Sequence, residues 1–299
     1  MAFQFERKEA VKRGIRRLTE ELIEDALDCL SQSRRPEAIH GVRKNIKKAR
    51  AVLRMIRRNV PRKTYNRQIA LLKEAAILLS AARDAYVKGA ALENLTQSFK
   101  GQLPSNVFGR LADQLRGDLQ QETRRFLKNK SASAVKRVLR RVPRGLDSLD
   151  LDAKGWKAIG PGIRSAYASG QRSYRAVLKR PSTENLHEMR KRVKDLWYGL
   201  RLLEPVSPKE MNFMTDRLKD LGECLGDDQD LYLLRATVED VARKTGNSDS
   251  FLALYGLIEN RRRHLQMASL EIAARFYVEK PGVFCKRLFR HWKTWRSKG

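Results

Sequence analysis

Apolar residues along this chain recur at three- and four-residue steps and nowhere alternate with a period of two over a useful length, so the pattern predicts helices and no sheet. The first run spans Glu6 to Ser31, with Val11, Ile15, Leu18, Leu22, Ile23, Ala26, Leu27 and Leu30 on one face. SQSRRP breaks it, Glu37 supplies an acid to the first turn of the next helix, and Asn59-Val60-Pro61 ends that helix. An apolar helix over 64–80, a helical stretch from Arg83-Asp84 to about Phe99, a GQLPSN loop, and helices over Val107–Lys128 and Ala132–Arg141 follow. Val142–Gly162, with its Pro, Gly and Asp content, reads as a connector. Beyond it the spacing predicts helices over Ile163–Lys179, Asn185–Leu203, Phe213–Leu225, Asp230–Lys244 and Phe251–Val278, a stop at EKPG, and a basic, aromatic tail.

The second helix has two distinct faces. On a wheel, His40, Arg43, Lys44, Lys47, Lys48, Arg50, Arg54, Arg57 and Arg58 fill one side, and Val42, Ile46, Ala49, Val52, Leu53 and Ile56 the other. Nothing from Ala38 to Lys73 is acidic, so salt bridges between helix neighbours cannot account for the charge. From His40 to Arg54 the row extends roughly 21 Å at 1.5 Å per residue, which suits a long anion better than a single phosphate.

The same phrase returns 147 positions later: LHEMRKRVKDLWYGLRLL aligns His187, Arg190, Lys191, Lys194 and Arg201 with His40, Arg43, Lys44, Lys47 and Arg54. A second landmark recurs at an offset of 146, pairing Leu72, Lys73, Asp84 and Tyr86 with Leu218, Lys219, Asp230 and Tyr232. The expected architecture is all-α, with two related halves, 1–150 and 151–299, each presenting one basic helix. Trp197 and Asp195 stand where the first copy has Arg50 and Lys48, so the second helix should be the less positive.

With 299 residues, 41% of them hydrophobic, the chain can bury a core. A formal charge of +29 exceeds what solubility needs and opposes compaction, so the expected partner is multivalent and negative. Cys29, Cys224 and Cys285 are isolated, with no metal-ligand spacing, and read as reduced and mostly buried; no apolar leader or membrane-spanning run occurs. These features suggest a cytoplasmic protein.

The doubled HxxRKxxK helices, each followed by a segment ending in RDAYV or DDQDLYLL, resemble the CHAD family, α-helical domains named for their histidines, from about Glu6 to Arg290. The resemblance implies two pseudo-symmetric helical bundles around a basic groove or pore, and binding of inorganic polyphosphate. Carried over position by position, it implies ligands His40, Arg43, Lys44, Lys47, Arg50 and Arg54 in the first copy, and His187, Arg190, Lys191, Lys194 and Arg201 in the second. Recruitment to polyphosphate granules would follow. Some relatives carry an amino-terminal triphosphate-hydrolysing domain; this chain has no ExExK pattern. No catalytic residue, metal or cofactor is therefore expected.

Two other readings start from the same residues. A metal-dependent enzyme acting on polyphosphate or nucleotide phosphates would use Asp84 or Asp230 to hold Mg²⁺, although helix capping or anchoring of basic side chains is the commoner role for such aspartates. Non-specific nucleic-acid binding needs only the charge. Trp197 and Tyr198 could stack on a base but are more simply wall or core, and Trp292 and Trp295 could touch a membrane but are more simply a docked tail. No P-loop, dinucleotide fingerprint, GxSxG or Cys/His dyad is present.

Overall fold

The chain's computed structural model describes residues 3–32, 36–98, 105–128, 131–146, 149–245 and 248–297. The first part forms α1 (Val11–Gln32), α2 (Pro36–Met55), α3 (Arg62–Leu78), α4 (Ser80–Ser98), α5 (Ser105–Lys128), α6 (Ser131–Leu139) and the single turn α7 (Arg141–Arg144). The rest forms α8 (Trp156–Lys179), α9 (Thr183–Arg201), a 3-10 turn at Glu204–Val206, α10 (Pro208–Thr245), α11 (Ser248–Phe276) and α12 (Pro281–Ser297). No strand occurs among the described residues, as the periodicity predicts. The breaks read at SQSRRP and GQLPSN fall largely outside the described residues.

The apolar face of α2 decides where the core sits. Val42, Ile46, Ala49, Val52, Leu53 and Ile56 are all at most 2% exposed, and each large side chain among them contributes about 1.5–3 kcal/mol by leaving water. They join a cluster that runs through α1, α3, α8 and α9, so one core holds residues from both ends of the sequence. A smaller second cluster combines Leu92 and Leu95 of α4 and Leu111 and Leu115 of α5 with Leu234, Val238, Leu254 and Ile258 of α10 and α11.

The basic helix ends earlier than its charge pattern suggests. After Met55 the amides of Ile56 and Arg57 donate to Leu53 and Arg54 at 3.3 Å, the tightened closure typical of a helix end. Arg57 and Arg58 therefore leave the row. The supposed connector is also shorter, because α8 starts at Trp156 and runs through Gly160-Pro161-Gly162. Pro161 has no N–H to offer the carbonyl of Lys157, four residues back. Asn59 fills that role: its side-chain amide donates to the carbonyls of Lys157 at 3.3 Å and Ala158 at 2.9 Å. Gly162 lets α8 cross the last turn of α2 so closely that a Cβ would come within 2.1 Å of the Met55 carbonyl oxygen. Replacing the buried Asn59 with alanine should cost about 1–3 kcal/mol in a urea melt, the penalty of buried carbonyls left without a donor. An unchanged midpoint would mean that water serves them equally well.

The two helices expected over Phe213–Leu225 and Asp230–Lys244 are one, the 38-residue α10, about 57 Å long. Gly226-Asp227-Asp228 reads as a break, but Asp228 is 2% exposed and is held inside the helix packing by Arg262 of α11 at 3.0 Å and Gln266 at 2.8 Å. Tertiary ion pairing overrides the local turn signal. The tail forms α12 and docks: Trp292 and Trp295 are 4% and 5% exposed, and Arg296 donates to the carbonyls of Arg7 and Glu9. The three cysteines are free and partly buried. No described helix is long and apolar enough to cross a membrane.

Candidate functional site

Helices α2 and α9 lie against each other, α2 backed by α1 and α3, α9 by α8 and α10. The start of α9 is fixed locally: the Ser182 hydroxyl caps it by accepting from the amide of Asn185 at 3.2 Å, with Glu184 in the first turn. Its apolar positions Leu186, Met189, Val193, Leu196 and Leu200 are buried, which turns Arg190 and Lys194 toward α2 and α10. Two glycines of α10 make room for them. A Cβ on Gly222 would stand 2.8 Å from Nζ of Lys194, and one on Gly226 would stand 3.1 Å from Nη2 of Arg190.

Lys47 is the centre of the arrangement. Loss of hydration and then the positive charges of Arg190, Arg83, Arg43 and Lys194 push its ammonium down from 10.5 to about 7. Its side chain is nonetheless exposed to solvent. Both hold for a group in a recess, which water enters but where protein surrounds the charge on most sides. Lys194 is depressed to about 8, again by burial first and Arg190 second. Arg43 and Arg190 are shifted down by burial, and Arg83 adds to both effects. His40 and His187 are also held below the usual imidazole range, by burial and then by neighbouring cations: Lys47 and Arg83 for His40, Lys191 and Arg190 for His187.

Several polar atoms here have no hydrogen-bond partner in the protein. The Nε groups of Arg43, Arg50 and Arg190 and Nδ1 of His187 are buried without a partner. Arg43 spends one other N–H on the carbonyl of Ala76 at 2.6 Å, which fixes its direction. Buried N–H groups without a protein partner are rare, so these guanidinium groups keep donors free for an anionic oxygen that reaches them.

The remaining sequence-derived positions divide. Arg50 and Arg54 continue the row toward Arg192 of α9; Arg54 is depressed to about 10, by burial first and Arg50 next. Asp195, expected to make α9 less positive, pairs with Arg54 of α2 and with Arg192 at 3.6 Å. Lys44 is exposed at the edge, its charge felt by His40. Lys191 is exposed and taken up by Glu188 at 3.2 Å, and Arg201 by Glu204 at 3.1 Å; neither is among the cations that shift Lys47.

Sequence reasoning missed Arg83. It pairs with Asp84 at 3.0 Å and with Asp230 of α10 at 3.2 Å, and its charge reaches His40, Arg43, Lys47 and Arg190. The signal was its place beside Asp84, but the second copy has Gln229 there, so comparing the copies hides it. Both aspartates thus serve as anchors for a basic side chain. Trp197 is covered by Lys194 at 4.4 Å and Arg201 at 5.5 Å, and Tyr198 is 5% exposed.

The CHAD domain model matches residues 12–239. A CHAD domain from the plant Ricinus communis superposes with a TM-score of 0.66 at 15% identity, covering 93% of this chain and 94% of that one. PptA from Streptomyces chartreusis superposes with a TM-score of 0.65 at 14% identity, covering 91% of this chain and 100% of that one. At such identities the likeness is one of fold. No curated protein sequence matches the chain. With about three quarters of its length matched by the family model, the chain belongs to the CHAD domain family.

Proposed function

We propose that the chain binds inorganic polyphosphate where α2 and α9 meet, without transforming it, and that binding recruits it to polyphosphate granules. The observation that carries this reading is the convergence on Lys47 of Arg43, Arg83, Arg190 and Lys194, with buried N–H donors left unpaired among them. Each phosphate would meet guanidinium and ammonium groups from two helices, Arg offering forked contacts and Lys point charges. The recurrence at offsets of 147 and 146 fits a duplicated unit whose halves each supply one basic helix to a shared groove. Association of CHAD domains with polyphosphate in general supports the choice of polyanion. So does the fate of Trp197 and Tyr198, because Trp197 lies under two cations and Tyr198 is buried, so neither presents an open face to a base. In this reading Asp84 and Asp230 orient Arg83 and hold no metal.

Titration of polyphosphate, with duplex DNA at matched phosphate concentration as competitor, tests the reading. The polymer should bind tightly near physiological salt and DNA should displace it poorly; equal displacement would reduce the site to a general polyanion surface. Affinity should also rise as pH falls from 9 to 6. Lys47 and Lys194 are partly neutral above about 7 and 8, and a bound polyanion returns their protons, as it does those of the two depressed histidines at lower pH. Each proton taken up contributes at most about tenfold per pH unit. A flat profile would place the polymer elsewhere.

A further inference from the structure

The basic run does not stop with α2. Arg57, Arg58 and Arg62, together with Arg54 and Arg192, line a cavity of about 390 Å³ closed on the α3 side by Tyr65 and Asn66. Arg57 lies over the ring of Tyr65 at 5.5 Å, and the Arg54–Asp195 ion pair forms part of the wall. A second recess of about 450 Å³ is bounded by Lys63, Thr64 and Arg67 of α3 and by Arg141 and Arg144 of α7. On a helical wheel residues 62, 65 and 66 share one face of α3, and residues 63, 64 and 67 share the opposite one. The two recesses therefore lie back to back across the first turns of a single helix. The start of that helix has no side-chain cap, so its positive end lies between them.

The second recess is built rather than incidental. Its floor is Gln68, 2% exposed, whose amide seats so closely on Gly145 that a Cβ there would come within 1.8 Å of Nε2. This contact holds α7 against α3 and sets Arg141 and Arg144 opposite Lys63 and Arg67. No carboxylate among the described residues lines the recess. None of the four cations is ion-paired among the described residues, whereas Arg17, Arg192, Arg235, Arg262 and Arg287 each have at least two acidic partners.

We propose that these two recesses form an exit track, taking up the part of a long polyphosphate that extends beyond the α2–α9 cluster and leading it around the start of α3 to Lys63, Arg67, Arg141 and Arg144. The inference rests on the polyphosphate reading of that cluster. A short oligomer fills the cluster alone; a long polymer meets Arg57, Arg58 and Arg62 and then the four cations of the second recess, so the track sets a preference for length.

The test compares tripolyphosphate with long-chain polyphosphate on three proteins: wild type, a Lys63→Gln, Arg67→Gln, Arg141→Gln, Arg144→Gln variant, and a control with the same loss of charge on and beside α12, Lys280→Gln, Lys286→Gln, Arg290→Gln, Lys293→Gln. The track variant should keep wild-type affinity for tripolyphosphate and lose about tenfold for the long polymer, the scale of four exposed ionic contacts. Its slope of log affinity against log salt should fall by roughly 3, at about 0.7 per phosphate contact released. The statistical advantage of a longer chain is the same for all three proteins and drops out. An equal loss in the control, or none in the track variant, overturns the track while leaving the cluster standing. Failure of wild type to bind even tripolyphosphate overturns the cluster and the track together.

Discussion

Replacing Lys47 and Lys194 together with methionine is expected to lower polyphosphate affinity at least about a hundredfold, since each removes a charge-assisted contact of about 1.5–3 kcal/mol. The free protein should nevertheless be as stable as wild type or more stable. Methionine keeps the length of the side chain and its contacts while removing two charges that burial and mutual repulsion hold at about 7 and about 8, well below 10.5. That repulsion gives a pH signature. Between about pH 7 and 10.5 the unfolded chain holds more protons on these lysines than the folded one, so wild-type stability rises with pH across that window. Below about 7 both states are protonated and the penalty is present in full. The variant should lack the rise, and it should also lose the steepest part of the pH dependence of binding. Melting curves across that range, alongside titration with the polymer, check both. Lost affinity with a lower melting temperature would mean that the lysines hold the fold together rather than waiting for a ligand.

The division of α2 into a buried and a charged face was legible as far as Arg54, because periodicity and the missing acids are properties of one helix, whereas its end at Met55 was not. Repetition then pointed to α9, and the residues it marked, Arg43, Lys47, Arg190 and Lys194, are the ones whose charges meet. What stayed hidden depends on partners distant in sequence. Arg83 gains its place from Asp230, 147 residues away, and Arg192 stands where the first copy has an uncharged Asn45. Asp195 looked like a deficit of positive charge on its own helix, and its main effect is to hold Arg54 of the neighbouring one. The continuity of α10 could not be read either, since the pairing that suppresses the turn at Asp227-Asp228 comes from α11. Arg201 aligns with Arg54 but ends its helix beside Glu204 and against the separate rings of Phe3 and Trp197, so equivalence in sequence does not make it equivalent in place.

The same pairing carries the largest expected loss of stability. Arg262 is 5% exposed; its Nε donates to Asp228 at 3.0 Å, Nη1 to Glu259 at 3.2 Å, and its guanidinium lies 5.2 Å from the centre of the Tyr232 ring. Even so paired, the Asp228 carboxyl is pushed above the usual carboxylate range by burial. Changing Arg262 to methionine leaves that carboxylate in the core with only Gln266 to donate to it, at a cost of about 3–5 kcal/mol. A carboxyl whose folded pKa is raised gives up stability as pH rises, so the variant should be closer to wild type in mild acid than at pH 7. Adding Asp228→Leu should restore most of the loss, since it removes the uncompensated charge. The consequences reach the site, because Asp228 stands between Gly226, against which Arg190 rests, and Asp230, which holds Arg83. If the pair only stabilises the fold, the double variant recovers both its melting temperature and its affinity for polyphosphate. If it also positions Arg83 and Arg190, the melting temperature returns and the affinity does not, and only in that case does the buried pair belong to the binding apparatus.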